Sequence, residues 1–370
     1  MDNLSKAELQ RYARHLALPD FGIAAQRALK NARVLVIGAG GLGAPVLMYL
    51  TAAGVGTIGI VDYDRVEVSN LQRQVLFAEQ DIGQPKATVA AQKLRGLNPH
   101  ITIHSMVQRF TKENALNIAA DYDIIVDGTD NFPTRYLVND VCVLLGKVNV
   151  YGSIFRYEGQ VSVFNLPTAE GGRSPNYRDI FPNPPAPELV PNCAEGGVLG
   201  VLPGIIGSIQ ANEAIKVITG NGVPLAGKLF ILDTTTMMTR TIRYTARSDN
   251  RITELMDYEQ FCGISTPETV NTITSVELEK WLNETPNIRL IDVRQPYERA
   301  ITHIGGELIP LDELKHTEWS HELDTPIVFY CQTGRRSREA ILFLKKKGYA
   351  IDHFYNLEGG IEAYKKRLVE

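Results

Sequence analysis

The chain has 370 residues, too many for one ordinary hydrophobic core, so two domains are the natural expectation. At 44% hydrophobic and 22% charged it has the composition of an ordinary soluble globular protein. A net charge of -4 gives no broad electrostatic reason to expect nucleic acid as a partner, and no apolar run reaches the length of a membrane span. Met1-Asp2-Asn3 opens no secretory signal, and the cysteines at 142, 193, 262 and 331 form no Cys-x-x-Cys pair. Such spacing argues against a disulfide framework or a four-thiolate zinc site and suits a reducing cytoplasm.

In chain order, Ser5-Lys6-Ala7-Glu8 reads as a capping box opening a helix that carries Arg11, Tyr12, Arg14 and His15. By itself this helix reads as a solvated basic face. A second short helix is expected over Ala24–Asn31. The apolar run Val34–Ile37 then passes into Gly38-Ala39-Gly40-Gly41-Leu42-Gly43, a helix-compatible stretch to Ala53, and a second run, Ile58–Val61, ending at Asp62. This is strand, glycine turn, helix, strand. The glycines let the backbone turn tightly and approach a phosphate, whose charge a helix N-terminus favours. Asp62 is placed to accept hydrogen bonds from a ribose. The bland alternative is a glycine-rich packing turn without a ligand.

After Asp62 the chain is polar and loop-like through Ser69, Asn70, Leu71, Gln72 and Arg73, and Lys86 follows Pro85, which can open the next helix. Two cations so near a glycine turn suit a triphosphate better than a pyrophosphate bridge. A third strand, Asp123–Asp127, ends in Gly128-Thr129-Asp130-Asn131. Asp130 therefore falls at the carboxyl edge of the sheet, where a magnesium-binding carboxylate is wanted.

Taken together, Gly38–Gly43, Asp62–Gln74, Lys86 and Asp127–Asn131 resemble the E1-type adenylating enzymes, and most closely the MoeB/ThiF activators of ubiquitin-like sulfur carriers. The resemblance runs from about residue 5 to about residue 245. It implies a Rossmann-like mixed α/β sheet, a homodimer, ATP with Mg2+, and adenylation of the C-terminal glycine of a small carrier protein ending in Gly-Gly. Carried over by position, Gly38, Gly40, Gly41, Gly43, Ser69, Asn70, Leu71, Gln72 and Asn131 would line the nucleotide site. Asp62 would hold the ribose, and Asn70, Arg73 and Lys86 the phosphates. Asp130 would hold the metal, and Arg14 would reach into the partner subunit's site. Adenylation needs positioning and charge compensation more than acid–base groups, because a carboxylate is already a nucleophile.

Val148–Tyr151 and Gly159–Phe164 read as further strands, and residues 166–197 as a long crossover loop. Cys193 sits in that loop, and its position matches a cysteine that many relatives carry there. A loop thiol with polar neighbours can act as a nucleophile, or can be a small side chain without chemistry. Cys142, on the apolar stretch Tyr136–Leu145, is expected to fill core. Many relatives hold a structural zinc with two Cys-x-x-Cys pairs. Here those positions fall on Asn176, Asp179, Glu259 and Cys262, and no zinc is expected.

Helix is expected over Gly207–Thr219, strands over Leu229–Leu232 and Thr239–Arg247, and a linker over residues 249–271, which separates a domain of residues 1–248 from one of residues 272–370. In the second domain a strand at Ile327–Tyr330 delivers Cys331-Gln332-Thr333-Gly334-Arg335-Arg336-Ser337 to a helix N-terminus. Converging N–H groups and nearby arginines favour an anionic sulfur, including a persulfide. The order Asp292-Val293-Arg294, His303–Gly306, Cys331–Ser337, Glu358-Gly359-Gly360 resembles a single rhodanese domain, with Cys331 as the persulfide carrier, Arg336 assisting and His303 structural. A phosphatase would have arginine where Ser337 stands.

An adenylating domain followed by rhodanese is the arrangement of MoeZ-like enzymes and of eukaryotic relatives serving molybdopterin synthesis and tRNA thiolation. The combination implies an adenylyltransferase and sulfurtransferase that takes sulfur from a persulfide donor such as a cysteine desulfurase and leaves a carrier thiocarboxylate, with Cys193 as intermediate or resolving thiol. Two other readings stay open. One is an adenylating enzyme for a small molecule or tRNA with rhodanese as an accessory module. The other is a nicotinamide-dependent oxidoreductase on the same glycine loop.

Overall fold

A computed structural model describes residues 4–185, 197–248, 250–263, 270–284, 288–314, 316 and 325–369. The chain divides into two compact units, Met1–Ile264 and Ser265–Glu370. The first is built on a sheet of β1 (Arg33–Ile37), β2 (Thr57–Val61), β3 (Thr102–Met106), β4 (Ile124–Asp127), β5 (Val148–Phe155), β6 (Glu158–Phe164), β7 (Lys228–Asp233) and β8 (Met238–Arg243). Their spatial order is β3-β2-β1-β4-β5-β6-β7-β8. Neighbours from β3 to β5 are parallel, and those from β5 onward are antiparallel. Connection length explains the change, since parallel neighbours need helical crossovers whereas the two-residue link from β5 to β6 can only reverse the chain.

Helices cover both faces of the parallel half, so its strands are buried on both sides and read as continuous apolar runs. Val34, Val36, Ile58, Ile60 and Val126 face one core, with the helices Gly43–Ala53, Lys86–Leu97 and Val201–Thr219. Leu35, Ile37, Val61, Ile125 and Cys142 face the other, with the helix Phe132–Leu144. The capping box at Ser5 and Glu8 forms as expected. Strand β3 was not legible, because as an edge strand it buries only Ile103 of its five residues. The crossover helix begins at Val201 rather than Gly207, with Pro203 in its first turn, where a missing N–H leaves nothing unsatisfied.

The expected linker of residues 249–271 differs from what is found. Tyr258–Phe261 forms a helical turn, and buried Tyr258 donates its hydroxyl hydrogen to Asp140 Oδ2 at 2.8 Å. Residues 250–263 thus pack into the first unit. Their polar character reads as linker, but it is consumed by partners within the fold. Arg178 Nε and Nη2 donate to Asp140 Oδ1 and Oδ2 at 2.8 and 2.7 Å, and the guanidinium lies 4.9 and 4.6 Å from the Tyr136 and Phe261 ring centres. Asn176 and Asp179 cap the turn Tyr177–Ile180 reciprocally, and Asp179 Oδ1 also accepts from Arg247 N–H and Asn250 Nδ2. Of the four positions only Cys262 carries a thiol, and burial pushes it up to about 11. These donors do not fit a structural zinc; hydrogen bonds and one buried ion pair hold the corner.

The second unit is a parallel sheet of β9 (Asn271–Ile273), β10 (Arg289–Asp292), β11 (Glu307–Leu308), β12 (Ile327–Tyr330) and β13 (Phe354–Leu357), ordered β11-β10-β12-β13-β9. Central β12 is buried throughout and aims its carboxyl end at the helix Arg335–Lys346, which packs Ala340, Ile341 and Leu344 into the core.

Candidate functional site

The glycine turn leaves β1 through Gly38, whose φ of +90° few other residues tolerate and whose Cβ would lie 2.9 Å from Gly128 O. A Cβ on Gly43 would overlap Gly38 O, so the turn and the first residue of the helix meet backbone to backbone. The helix Gly43–Ala53 therefore opens directly behind the turn, tied to it by the Ala44 N–H, which donates to Gly40 O at 2.9 Å.

Asp62 braces this turn. Its Oδ2 accepts from Ala39 N–H and its Oδ1 from Asp64 N–H, each at 2.8 Å. Burial raises its carboxyl pKa against the opposing pull of the Ala39 hydrogen bond and the Lys86 charge. The Asp62 N–H is in turn held by Met106 O at 3.2 Å, which ties the site to β3. Lys86 is buried, with its Nζ 3.2 Å from Asp64 Oδ2.

Ser69–Arg73 form a self-bonded loop over the turn. Asn70 Oδ1 accepts from Glu67 N–H at 3.1 Å, Ser69 Oγ donates to Glu67 Oε2 at 3.2 Å, and Arg73 Nη1 donates to Ser69 O at 2.9 Å. Leu71 packs on the core while Gln72 is exposed. A Cβ on Gly41 would come within 3.7 Å of Arg73 Cγ, and one on Gly40 within 3.5 Å of Gln74 Nε2, so loop and turn are neighbours. Asp130 and Asn131 are exposed at the carboxyl end of β4, where Asn131 Oδ1 accepts from Thr134 N–H at 3.0 Å and caps the helix Phe132–Leu144. Asp130 also belongs to the charge cluster around Tyr63. Burial raises the pKa of that phenol, helped by Asp64, Asp130 and Asp62, while the Arg109 guanidinium 4.3 Å from the ring centre opposes it.

The glycine turn, Asp62, Asn70, Arg73, Lys86 and Asp130 thus gather at the carboxyl edge of one sheet. Arg14 does not join them; in the single chain it is exposed on the turn Ala13–Leu16. Cys193 lies outside the described residues. Sequence reasoning missed Asp64 and Asp127. Buried Asp127 accepts at Oδ1 from Thr129 N–H at 2.9 Å and Thr129 Oγ1 at 2.6 Å, and Arg135 Nη2 donates to Thr129 O at 3.4 Å. The available signal was a charge closing the apolar run Ile124–Val126.

In the second unit Cys331 is buried, and its Sγ accepts from Gly334 N–H at 3.2 Å. The Ser337 hydroxyl lies 3.5 Å from Sγ and donates to Asn356 Oδ1 at 2.6 Å. Arg336 lies close enough to feel the sulfur's charge but is held bidentately by Glu298 at 2.7 and 2.6 Å, which raises its pKa. Burial works against the Glu298 carboxylate, yet the hydrogen bonds from Arg336 and Gln295 N–H outweigh it and leave its pKa lowered. Arg294, fully buried, is bound by Asp292 and reaches Gln332 Oε1 at 3.4 Å. His303 Nδ1 accepts from Gly305 N–H at 3.1 Å, a structural role. Glu298 and Asn356 were not legible, since nothing local distinguishes them from surface residues.

Residues 12–253 match the ThiF family, and residues 274–367 match the rhodanese-like domain. The chain belongs to the ThiF family. A protein of Mycobacterium tuberculosis (strain ATCC 25618 / H37Rv), "Probable adenylyltransferase/sulfurtransferase MoeZ", is 50% identical over 376 residues, covering 99% of this chain and 95% of that one. The "Sulfur carrier protein adenylyltransferase" of Thermus thermophilus is 52% identical over 267 residues, covering 70% of this chain and 98% of the relative. Among solved structures, E. coli MccB with ATP is similar in fold, with a TM-score of 0.57 at 23% identity over 65% of this chain and 74% of that one. The gathered site lies in the ThiF-family unit, and the Cys331 cradle lies in the rhodanese-like unit.

Proposed function

We propose that this protein is an adenylyltransferase and sulfurtransferase that activates the C-terminal glycine of a ubiquitin-like sulfur carrier ending in Gly-Gly and then converts it to a thiocarboxylate. One observation carries the reading. A glycine turn braced by Asp62 shares its sheet edge with Arg73 and Lys86 in a chain that also seats Cys331 at a helix N-terminus. The names borne by the mycobacterial and Thermus relatives agree with it. The cations beside the turn suit ATP.

The Asp62 carboxylate keeps an acceptor for the ribose while it holds the turn. The carrier carboxylate attacks the α-phosphorus and pyrophosphate leaves. Arg73 and Lys86 offset the charge of an anion meeting a polyanion. Arg14, exposed in the single chain, would act across a homodimer. Asp130 offers oxygen to a hard cation, and magnesium commonly takes one or two carboxylates with phosphates completing its shell. Asp130 would therefore hold the ion, which would neutralise phosphate charge. In the second step the terminal sulfur of a Cys331 persulfide displaces AMP and leaves an acyl disulfide. A thiolate, for which Cys193 is the candidate, attacks the Cys331 sulfur of that disulfide and releases the thiocarboxylate. A dithiol reductant, itself oxidised to a disulfide, returns both cysteines to thiols, and Cys331 is then reloaded by sulfane transfer from a persulfide donor of the cysteine desulfurase kind, whose own cysteine is left as a thiol. Among the described residues no helix is long and apolar enough to cross a membrane. The widely spaced cysteines support a cytoplasmic setting.

The test is ATP–pyrophosphate exchange with and without a Gly-Gly-terminated carrier from the same organism. Exchange that requires the carrier supports the reading. ATP binding without exchange for every such carrier overturns it in favour of another carboxylate substrate.

A further inference from the structure

Gln210 lies midway along the helix Val201–Thr219 and is fully buried. Its Nε2 donates to Asp127 O at 2.8 Å and to Val150 O at 3.2 Å. Asp127 is the last residue of β4, and Val150 lies beside it on β5, where Val126 pairs with Val150 and Asp127 with Tyr151. One side-chain amide therefore ties the end of β4 to its neighbour β5 just where the chain leaves the sheet toward Asp130. Gly152 makes room for it, since a Cβ there would overlap the Gln210 amide.

Asp127 is held from both sides. Its carbonyl is fixed by Gln210, and its carboxylate accepts the Thr129 N–H and hydroxyl. Asp130 lies three residues on, next to Thr129, so these bonds anchor the chain on the side from which it enters the loop. The same helix also backs the glycine turn. A Cβ on Gly41 would lie 3.1 Å from Pro203 Cβ, and one on Gly207 would lie 2.5 Å from Leu42 O. The phosphate-facing turn and the Asp130 loop thus share one wall, and Gln210 is the group that fastens the second loop to it.

We propose that Gln210 is a positioning residue that sets the Asp130 loop at its working distance from the glycine turn. This rests on the reading that Asp130 holds magnesium during adenylation. Gln210 touches no substrate; it acts through the Asp127 carbonyl. An apolar side chain of similar size fills the same volume but leaves two buried carbonyls without their donor.

The experiment compares Gln210→Met, Gly152→Ala, Gln210→Ala and the double variant Gly152→Ala/Gln210→Ala in the full chain. It reads carrier-dependent exchange, calorimetric ATP binding with magnesium or with EDTA, and Tm. Misplacement by about 1 Å can lower a rate about a hundredfold, so Gln210→Met should reduce kcat by about tenfold to a hundredfold. It should also raise the magnesium needed for half-maximal activity and leave ATP affinity in EDTA unchanged. Gly152→Ala should behave alike, because its methyl expels the amide. The double variant refills the space, and should recover Tm relative to Gln210→Ala without recovering kcat. Wild-type kcat and magnesium dependence in Gln210→Met, or a double variant whose rate returns with its Tm, would overturn the proposal. If the wild-type chain shows no exchange with any carrier, the proposed function fails, and magnesium-dependent ATP binding still decides the role of Gln210.

Discussion

Arg178→Met should destabilise the ThiF-family unit by about 3 kcal/mol, at the lower end of the roughly 3–5 kcal/mol typical when one partner of a buried ion pair is removed. The structure places the effect at that end. Asp140 is fully buried and loses bonds of 2.8 and 2.7 Å, but it keeps donors from Asn139 Nδ2 at 3.0 Å and Tyr258 Oη at 2.8 Å. Methionine also retains contact with the Tyr136 and Phe261 rings that flank the guanidinium. For a unit of this size the change corresponds to a fall in Tm of about 6–12 °C. Asp140→Asn/Arg178→Met, which removes both charges and keeps an acceptor for Tyr258 Oη, should recover most of it. Urea and thermal unfolding followed by circular dichroism report the change. Tryptophan fluorescence recorded in parallel separates the second unit, since Trp281 and Trp319 both belong to it. The same melts run with a chelator or with added zinc should superimpose on the untreated curve. A loss under about 1 kcal/mol for Arg178→Met, or a fall in Tm on chelation, would refute an ion-pair-held, metal-free corner.

Cys331→Ala should leave carrier-dependent pyrophosphate exchange within about twofold while thiocarboxylate formation, read by mass spectrometry of the carrier, falls to background. Loss of both activities would count against the division of labour between the units. Glu298→Gln addresses pH. The Glu298 pKa is lowered in the fold, so its contribution is fully present above the unfolded value near 4.5 and is lost as pH falls through the lower folded value. The gap in fluorescence-detected Tm between wild type and Glu298→Gln should therefore hold near neutrality and close in acid; a gap constant from pH 7 to pH 3 would show that the ion pair with Arg336 is not its source.

Short-range pattern determined what the sequence determined. The runs Val34–Ile37 and Ile58–Val61, the glycines between them and Asp62 follow one another within a single strand–turn–helix–strand unit. The capping box spans Ser5 to Glu8, and the Cys331 cradle spans seven consecutive residues that run into the first turn of a helix. Each is dictated by backbone geometry and alternation over a few positions, which a linear reading can see. The tertiary structure decided what depends on distant partners. Arg178 meets Asp140 across 38 positions, Tyr258 meets it across 118, and Gln210 meets Asp127 across 83. Arg336 meets Glu298 across 38, and edge strand β3 needs a neighbour to be a strand at all. Arg178, Tyr258 and Gln210 are polar residues that look solvent-bound in sequence but are buried by something far along the chain. Their value comes from satisfying groups that folding has removed from water, and only the packed fold identifies those groups.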